Sequence, residues 1–112
     1  MVSEVGRPPS VTHVDADDGW ERDEETGGLV HLVRASEEVT VGLWKPDGTA
    51  GARIEYRLDA DETLVVLRGS GEVSVDGGEP IQLRPGVVVS LPRGCQLSWL
   101  VDDEFRELWV YS

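Results

Sequence analysis

Turn-forming residues interrupt this chain about every ten residues and leave only short segments between them. The 112 residues include 13 glycines and six prolines, and the segments between the turns are rich in Val, Leu, Ile and aromatic side chains. Such segments favour strands, whereas a helix needs a longer uninterrupted run. The spacing of the turns therefore predicts an all-β sandwich or barrel.

The length and the strand pattern indicate one structural domain. A chain of this size forms a single modest hydrophobic core. We predict an N-terminal arm over residues 1–14, followed by one β-barrel domain over residues 15–112. The predicted strands cover residues 28–34, 39–45, 52–58, 62–68, 71–76, 80–84, 87–91, 96–101 and 105–111.

The charge balance argues against two classes of partner. Ten basic side chains stand against 22 acidic ones, which gives a formal net charge of -12. A nucleic acid or an anionic membrane would be repelled, so we expect neither as a partner. The acidic residues concentrate in Asp15–Glu25 and Asp102–Glu104. We interpret these segments as solvated, with a calcium site as the alternative.

Composition also bears on where the protein works. Cys95 is the single cysteine, so an intrachain disulfide cannot form, and a cytoplasmic location is expected. The first residues lack the apolar run of a signal peptide, and the longest apolar runs are only of strand length. Nine of the ten basic residues are arginine, which favours a bacterial source.

Alternation of side chains predicts which residues face the interior. Ile54, Tyr56 and Leu58 share one face of their strand, and the charged side chains of residues 53, 55 and 57 share the other. The apolar face is therefore expected to point inward. In the last strand, Glu107 and Trp109 share one face with Phe105 and Tyr111, and the pattern leaves open whether this face points inward.

Two groups of turn residues resemble the two sequence motifs of the cupin superfamily. Glu62, six further residues and Gly69 match the second half of the first motif, G-x5-H-x-H-x3-4-E-x6-G. Gly86, Pro92 and Gly94 match the second motif, G-x5-P-x-G-x2-H-x3-N. The chain is most similar to the small cupins related to ureidoglycine aminohydrolase and ethanolamine-utilisation proteins. The resemblance implies a single-domain jelly-roll β-barrel that associates as a homodimer.

The metal-binding histidines of both motifs are absent. The two histidine positions of the first motif fall on Glu55 and Arg57 in one register, or on Tyr56 and Leu58 in the other. The histidine position of the second motif falls on Leu97. We therefore predict no metal and no other cofactor. The alternative is an atypical metal site drawn from Glu62, Glu55, Gln96, Cys95 and His31.

Glu62 is the leading candidate for chemistry. A carboxyl group that is desolvated among aromatic side chains has a raised pKa and can exchange protons near neutral pH. Alternatively, Glu62 pairs with Arg53 or Arg57, or with nearby backbone. Tyr56 and His31 are candidate partners in proton transfer, with a packing role as the alternative for each.

Seven further residues are candidates for ligand binding. Flat apolar walls with a few polar groups suit a small organic ligand, including an aromatic one. Related cupins commonly carry lysine where this chain has Glu107, and an acid there would shift the preferred ligand toward neutral or cationic compounds. The candidates are Trp44, Leu58, Cys95, Leu97, Trp99, Glu107 and Trp109.

Three functions follow from these residues. The first is a metal-independent enzyme that carries out an isomerisation, cyclisation, dehydration or hydrolysis on a small organic substrate. The second is a non-catalytic ligand-binding or sensory cupin, in which protein partners would fully engage the carboxyl group of Glu62. The third is a metal enzyme with atypical ligands. In each case a homodimer is expected, with residues 10–14 able to add a strand across the interface.

Overall fold

A computed structural model describes residues 8–48 and 51–112, which form strands and turns and contain no helix. All nine predicted strands are present, with ends within two residues of the predicted ones. In the described part of the chain, no helix is long and apolar enough to span a membrane. The strands are β1 (Glu21–Arg22), β2 (Leu29–Ala35), β3 (Thr40–Lys45), β4 (Ile54–Arg57), β5 (Glu62–Arg68), β6 (Gly71–Val75), β7 (Ile81–Leu83), β8 (Val88–Leu91), β9 (Gln96–Val101) and β10 (Arg106–Tyr111).

The strands form two sheets that pack face to face. The six-stranded sheet has the order β1-β2-β3-β10-β5-β8, and the four-stranded sheet has the order β4-β9-β6-β7. Every pair of neighbouring strands is antiparallel. The predicted all-β jelly-roll class is therefore confirmed. β1 was missing from the prediction because two charged residues are too few to show an alternating pattern.

The hydrophobic core lies between the two sheets and follows the alternation of the strands. Ile54 and Leu58 are buried, whereas the charged side chains between them are exposed, so the predicted inward face of β4 is confirmed. The structure also decides the last strand. Glu107 and Trp109 are 5% and 7% exposed, and this face of β10 points inward.

The motif glycines stand at sharp turns between strands. Gly69 follows β5 with φ of +77°, and a Cβ atom there would overlap the backbone of Phe105. Phe105 is fully buried in the core, so the backbone at this turn has no room to move away. Gly94 precedes β9 with φ of +92°. Both positions therefore require glycine, which accounts for the spacing in the sequence.

The segment before β1 lies along the barrel. Thr12 Oγ1 and His31 Nε2 are 3.0 Å apart, and the guanidinium of Arg68 donates hydrogen bonds of 2.8 and 3.0 Å to the carboxylate of Asp15. Residues 1–7 of the predicted arm lie outside the described residues. Addition of a strand across a dimer interface by residues 10–14 stays a prediction.

Candidate functional site

A cavity of about 180 Å³ opens between the two sheets. A cavity of about 150 Å³ is enough to hold benzene, so a ligand built on a single ring suits this space. Aromatic and acidic side chains dominate the lining. The lining residues are Asp23, Glu25, Thr26, Val30, Trp44, Ile54, Tyr56, Glu62, Trp99, Glu107, Trp109 and Tyr111.

The six-stranded sheet contributes two buried carboxyl groups to the cavity. Glu62 is the first residue of β5 and is 2% exposed, and Glu107 on β10 is 5% exposed. The pairing of β5 with β10 places Tyr111 opposite Glu62 and Val66 opposite Glu107. Both glutamates therefore point from the same face of neighbouring strands into the same space.

The four-stranded sheet forms the opposite wall. Ile54 and Tyr56 come from β4, and Trp99 comes from β9. β4 pairs with β9 so that Trp99 lies opposite Ile54. A ligand in the cavity would therefore have carboxyl groups on one side and an indole and a phenol on the other.

A loop between β1 and β2 supplies the rest of the lining. Trp44 Nε1 donates a 2.9 Å hydrogen bond to Thr26 Oγ1, which in turn donates a 2.6 Å hydrogen bond to Asp23 Oδ2. A Cβ atom at Gly28 would lie 2.6 Å from the Trp44 ring, so this loop packs closely on the indole. These contacts hold Asp23 and Glu25 beside the cavity. Asp23 is half-buried, so the interpretation of residues 15–25 as a wholly solvated segment is wrong for this residue, whereas Glu25 remains exposed at the edge of the cavity.

Three buried polar atoms in the lining have no hydrogen-bond partner within the described part of the protein. They are Glu62 Oε1, Glu107 Oε1 and Trp99 Nε1. Buried polar atoms are nearly always paired, because leaving one unpaired costs about 1–3 kcal/mol. The two carboxyl oxygens can accept hydrogen bonds, and the indole can donate one. These atoms therefore offer both kinds of contact to a ligand.

Burial raises the pKa of the two glutamates on the six-stranded sheet and of two tyrosines in the lining. It raises the pKa of Glu62 to about 7, with a further contribution from the charge of Glu25. Burial, and then the charge of Glu62, raises the pKa of Glu107 well above its ordinary value. The pKa values of Tyr56 and Tyr111 are raised by burial and by nearby carboxylates, so both phenols are neutral at pH 7. Glu62 can therefore exchange a proton near neutral pH.

The structure brings six of the ten candidate site residues to the cavity. They are Trp44, Tyr56, Glu62, Trp99, Glu107 and Trp109. Arg57 at the end of β4 and Arg53 just before it are both exposed. Arg53 donates a hydrogen bond to Ser98 Oγ, and Arg57 donates one to the Gly94 carbonyl oxygen. Pairing of Glu62 with either arginine is therefore wrong.

The other four candidates do not line the cavity. Val30 on β2 faces it, so the next residue, His31, points to the opposite side of the sheet. There the His31 ring packs edge-on against Trp20, with 5.4 Å between ring centroids. Leu58, Cys95 and Leu97 are buried in the hydrophobic core instead. The structure therefore does not bring His31 to this cavity, and its predicted role in proton transfer stays untested.

Sequence reasoning missed six lining residues. Val30, Ile54 and Tyr111 could have been found from strand alternation once one neighbour was known to face inward. Asp23, Glu25 and Thr26 lie in a loop, where no periodicity marks the direction of a side chain. The missed residues are Asp23, Glu25, Thr26, Val30, Ile54 and Tyr111.

The donor groups do not fit a cupin metal centre. The inward positions of the first motif hold Tyr56 and Leu58, and the histidine position of the second holds the buried Leu97. Imidazole and thiolate, which transition metals favour, are thus missing from the described lining. Nor does any group of three or more His, Cys, Asp or Glu side chains in residues 8–48 and 51–112 have the arrangement of a metal site.

The alternative set of metal ligands does not converge either. Glu55 and Gln96 are exposed on the outer side of the four-stranded sheet. His31 lies on the outer side of the other sheet, and Glu62 points between the two sheets. These four side chains are therefore separated by the layers of the fold and do not converge on one point.

The fold and the cavity between its sheets define a small-molecule-binding cupin. A model of the EutQ-like cupin domain matches residues 33–108, and the chain belongs to this family. A search of curated proteins gave no match.

Solved structures with the same fold come from several bacteria. KdgF from Halomonas sp. is 21% identical with a TM-score of 0.70, over 94% of this chain and 93% of that one. A cupin superfamily protein from Desulfitobacterium hafniense is 20% identical with a TM-score of 0.65, over 80% of each chain. The Clostridium difficile EutQ protein is 18% identical with a TM-score of 0.65, over 80% of this chain and 65% of that one. At these identities the likeness concerns the fold alone.

Proposed function

We propose that this cupin is a metal-independent enzyme that uses Glu62 to move a proton on a small organic substrate held in the cavity. The observation that carries the proposal is a buried carboxyl group with an unpartnered oxygen that lines the cavity. Its pKa of about 7 makes both protonation states available at neutral pH. A general base or acid works best when its pKa lies near the working pH.

The residues around Glu62 have separate roles in such a reaction. In its ionised form, Glu62 accepts a proton from the substrate and later returns it to another substrate atom. Tyr56 and Trp99 on the opposite wall can donate hydrogen bonds to a substrate oxygen, where negative charge develops as the proton leaves. The aromatic walls pack against the substrate and hold it beside the carboxyl group. This combination supports isomerisation, cyclisation, dehydration or hydrolysis.

Non-catalytic ligand binding is the competing function. A binding protein is expected to have both carboxyl oxygens of Glu62 hydrogen-bonded to other protein groups. Among the described residues, however, Oε1 of Glu62 is without a hydrogen-bond partner. The free oxygen favours the enzyme over the binding protein.

We expect substitution of Glu62 by glutamine to abolish turnover, because an amide of the same shape cannot take up a proton. The test is incubation of the wild-type protein and of Glu62→Gln with a bacterial metabolite extract, followed by mass spectrometry of the consumed and formed compounds. Loss of general acid–base catalysis lowers a rate by about 100- to 10,000-fold.

Two controls make that result specific. Glu55→Gln changes an exposed glutamate on the outer face of β4 and should keep full turnover. Tyr56→Phe removes only the phenolic hydroxyl group and should lower the rate while leaving some activity. If no compound changes with the wild-type protein, or if Glu62→Gln works equally well, the proposal of catalysis is wrong and the binding function replaces it.

We also propose that the chain forms a homodimer. β8 lies at one edge of the six-stranded sheet and carries Val88, which is 66% exposed. An edge strand with an exposed apolar side chain is a surface for pairing with another chain. We expect light scattering on a sizing column to give twice the chain mass at micromolar concentration, and Val88→Lys to lower it. A wild-type monomer would contradict the dimer.

A further inference from the structure

We propose that the ligand of this cavity carries a positively charged nitrogen, such as a protonated amine or amidinium, whose N–H groups face the carboxyl groups of Glu62 and Glu107. This inference rests on the proposed function, since it names the substrate class of the same site. It is carried by unpartnered buried atoms, by the charge of the lining and by the aromatic walls.

The unpartnered oxygens require hydrogen-bond donors. Oε1 of Glu62 and Oε1 of Glu107 are both buried, and neither has a partner among residues 8–48 and 51–112. The two carboxyl groups do not pair with each other through these oxygens, and an ionised carboxylate only accepts hydrogen bonds. A protonated nitrogen brings two or more N–H donors and a compensating charge. A neutral hydroxyl brings only one donor and no charge.

The charges around the cavity have one sign. Four acidic side chains belong to the lining, and within the described residues no lysine, arginine or histidine does. Asp23 and Glu25 approach from the loop before β2, and Glu62 and Glu107 come from the six-stranded sheet. A cation entering this space is attracted, whereas a carboxylate or a phosphate is repelled.

The remaining walls also suit a cation. Trp44, Trp99 and Trp109 line the cavity with Tyr56 and Tyr111. The face of an indole or phenol ring attracts a positive charge, and the attraction is stronger where water is excluded. Trp99 Nε1, which is buried and unpartnered, can donate to an oxygen of the same ligand from the opposite wall. The geometry thus favours a compact ligand with a cationic nitrogen on one side and an acceptor on the other.

Binding of a cation here should release a proton. Burial, and then the charge of Glu62, raises the pKa of Glu107 well above its ordinary value and so favours its protonated form. When an ammonium group binds, the carboxyl group ionises and its proton goes to the buffer, so the charge in the site is balanced. Glu25, Asp23, Tyr56 and Tyr111 also face this space.

The test compares three probes of one size that differ in charge: benzylamine, benzyl alcohol and benzoate. Binding is followed by tryptophan fluorescence, because three of the four tryptophans line the cavity. We expect benzylamine to bind at least about tenfold more tightly than benzyl alcohol, and benzoate to bind most weakly. Calorimetry in two buffers of different ionisation enthalpy should show release of up to about one proton with benzylamine only.

Substitutions in and outside the cavity test which carboxyl groups cause the preference for benzylamine. Glu107→Gln and Glu62→Gln should each remove most of the preference for benzylamine over benzyl alcohol, and the exposed Glu55→Gln should keep it. Binding of benzyl alcohol by the variants shows that the cavity is intact. The inference is overturned if benzyl alcohol or benzoate binds as tightly as benzylamine, or if benzylamine fails to bind at about 10 mM.

The outcome is separate from that of the proposed function, since the probes need not react. A preference for benzylamine without turnover of any metabolite supports the proposed ligand class and contradicts the proposed enzymatic function. Turnover that depends on Glu62, without a preference for benzylamine, supports the enzymatic function and contradicts the proposed ligand class.

Discussion

As pH rises from about 4 to about 8, the free energy of unfolding of the wild-type protein is expected to fall by about 3 kcal/mol relative to that of the Glu62→Gln variant. Burial raises the pKa of Glu62 from an ordinary value of 4.5 to about 7 in the folded chain. In the unfolded chain the same carboxyl group is solvated and keeps its ordinary pKa. The difference between the two pKa values therefore links folding to pH.

The direction of the effect follows from the protons bound by each state. Below pH 4.5 the carboxyl group is protonated in both states, so it adds no dependence on pH. As pH rises from 4.5 to 7, the unfolded chain loses the proton while the folded chain keeps it, and the wild-type protein loses stability. Above pH 7 both states are ionised and the loss stays constant. Glutamine at position 62 does not titrate and escapes this loss.

The measurement is urea unfolding of both proteins at a series of pH values. Acidic groups outside the cavity are common to both proteins, and their contribution cancels in the difference. Glu107 acts in the same direction as Glu62, because its raised pKa depends in part on the charge of Glu62. Glu55→Gln, on the exposed face of β4, should instead follow the wild-type curve within about 0.5 kcal/mol. Parallel curves for the wild-type protein and Glu62→Gln would mean that Glu62 has an ordinary pKa when folded.

Replacement of Glu107 by leucine should stabilise the protein by about 1–3 kcal/mol at neutral pH. Glu107 is 5% exposed, and its Oε1 has no hydrogen-bond partner in the described part of the chain. β10 places it between Trp44 on β3 and Val66 on β5, where a leucine of similar size can pack. An apolar side chain removes the desolvation cost of the carboxyl group and keeps the core filled.

The measurement is the free energy of unfolding in denaturant, with Glu55→Leu as the exposed control that should change it by less than about 0.5 kcal/mol. The same Glu107→Leu variant should lose the preference for benzylamine. A gain in stability with a loss of binding is expected when an unpaired polar group serves a ligand. A destabilised Glu107→Leu variant would indicate that the carboxyl group makes a favourable contact within the fold.

The strand pattern and the motif turns could be predicted from the sequence because they depend on residues that are neighbours in the chain. Gly69 and Gly94 mark turns whose backbone has a positive φ, and glycine adopts such a conformation at little cost. The alternation of residues 52–58 likewise predicted the inward Ile54 and Tyr56, since successive side chains of a strand point to opposite faces. The family could be identified from these local features.

The composition of the cavity, in contrast, depends on which strands pair. Glu62 and Glu107 are far apart in the chain and meet because β10 lies beside β5 in the six-stranded sheet. The inward face of β10 could not be chosen from its sequence, since both faces carry apolar residues. His31 is next to Val30, yet a single residue places it on the other side of the sheet.

By itself, the sequence determined the fold class, the turns and most strand ends, because these depend on backbone preferences and on the period of neighbouring side chains. Only the tertiary structure decided that two carboxyl groups share one cavity with unpartnered oxygens, and that a loop brings Asp23 and Glu25 beside them. The physical reason is that desolvation and electrostatic coupling depend on distances through space, which strand register and sheet packing set and local sequence does not.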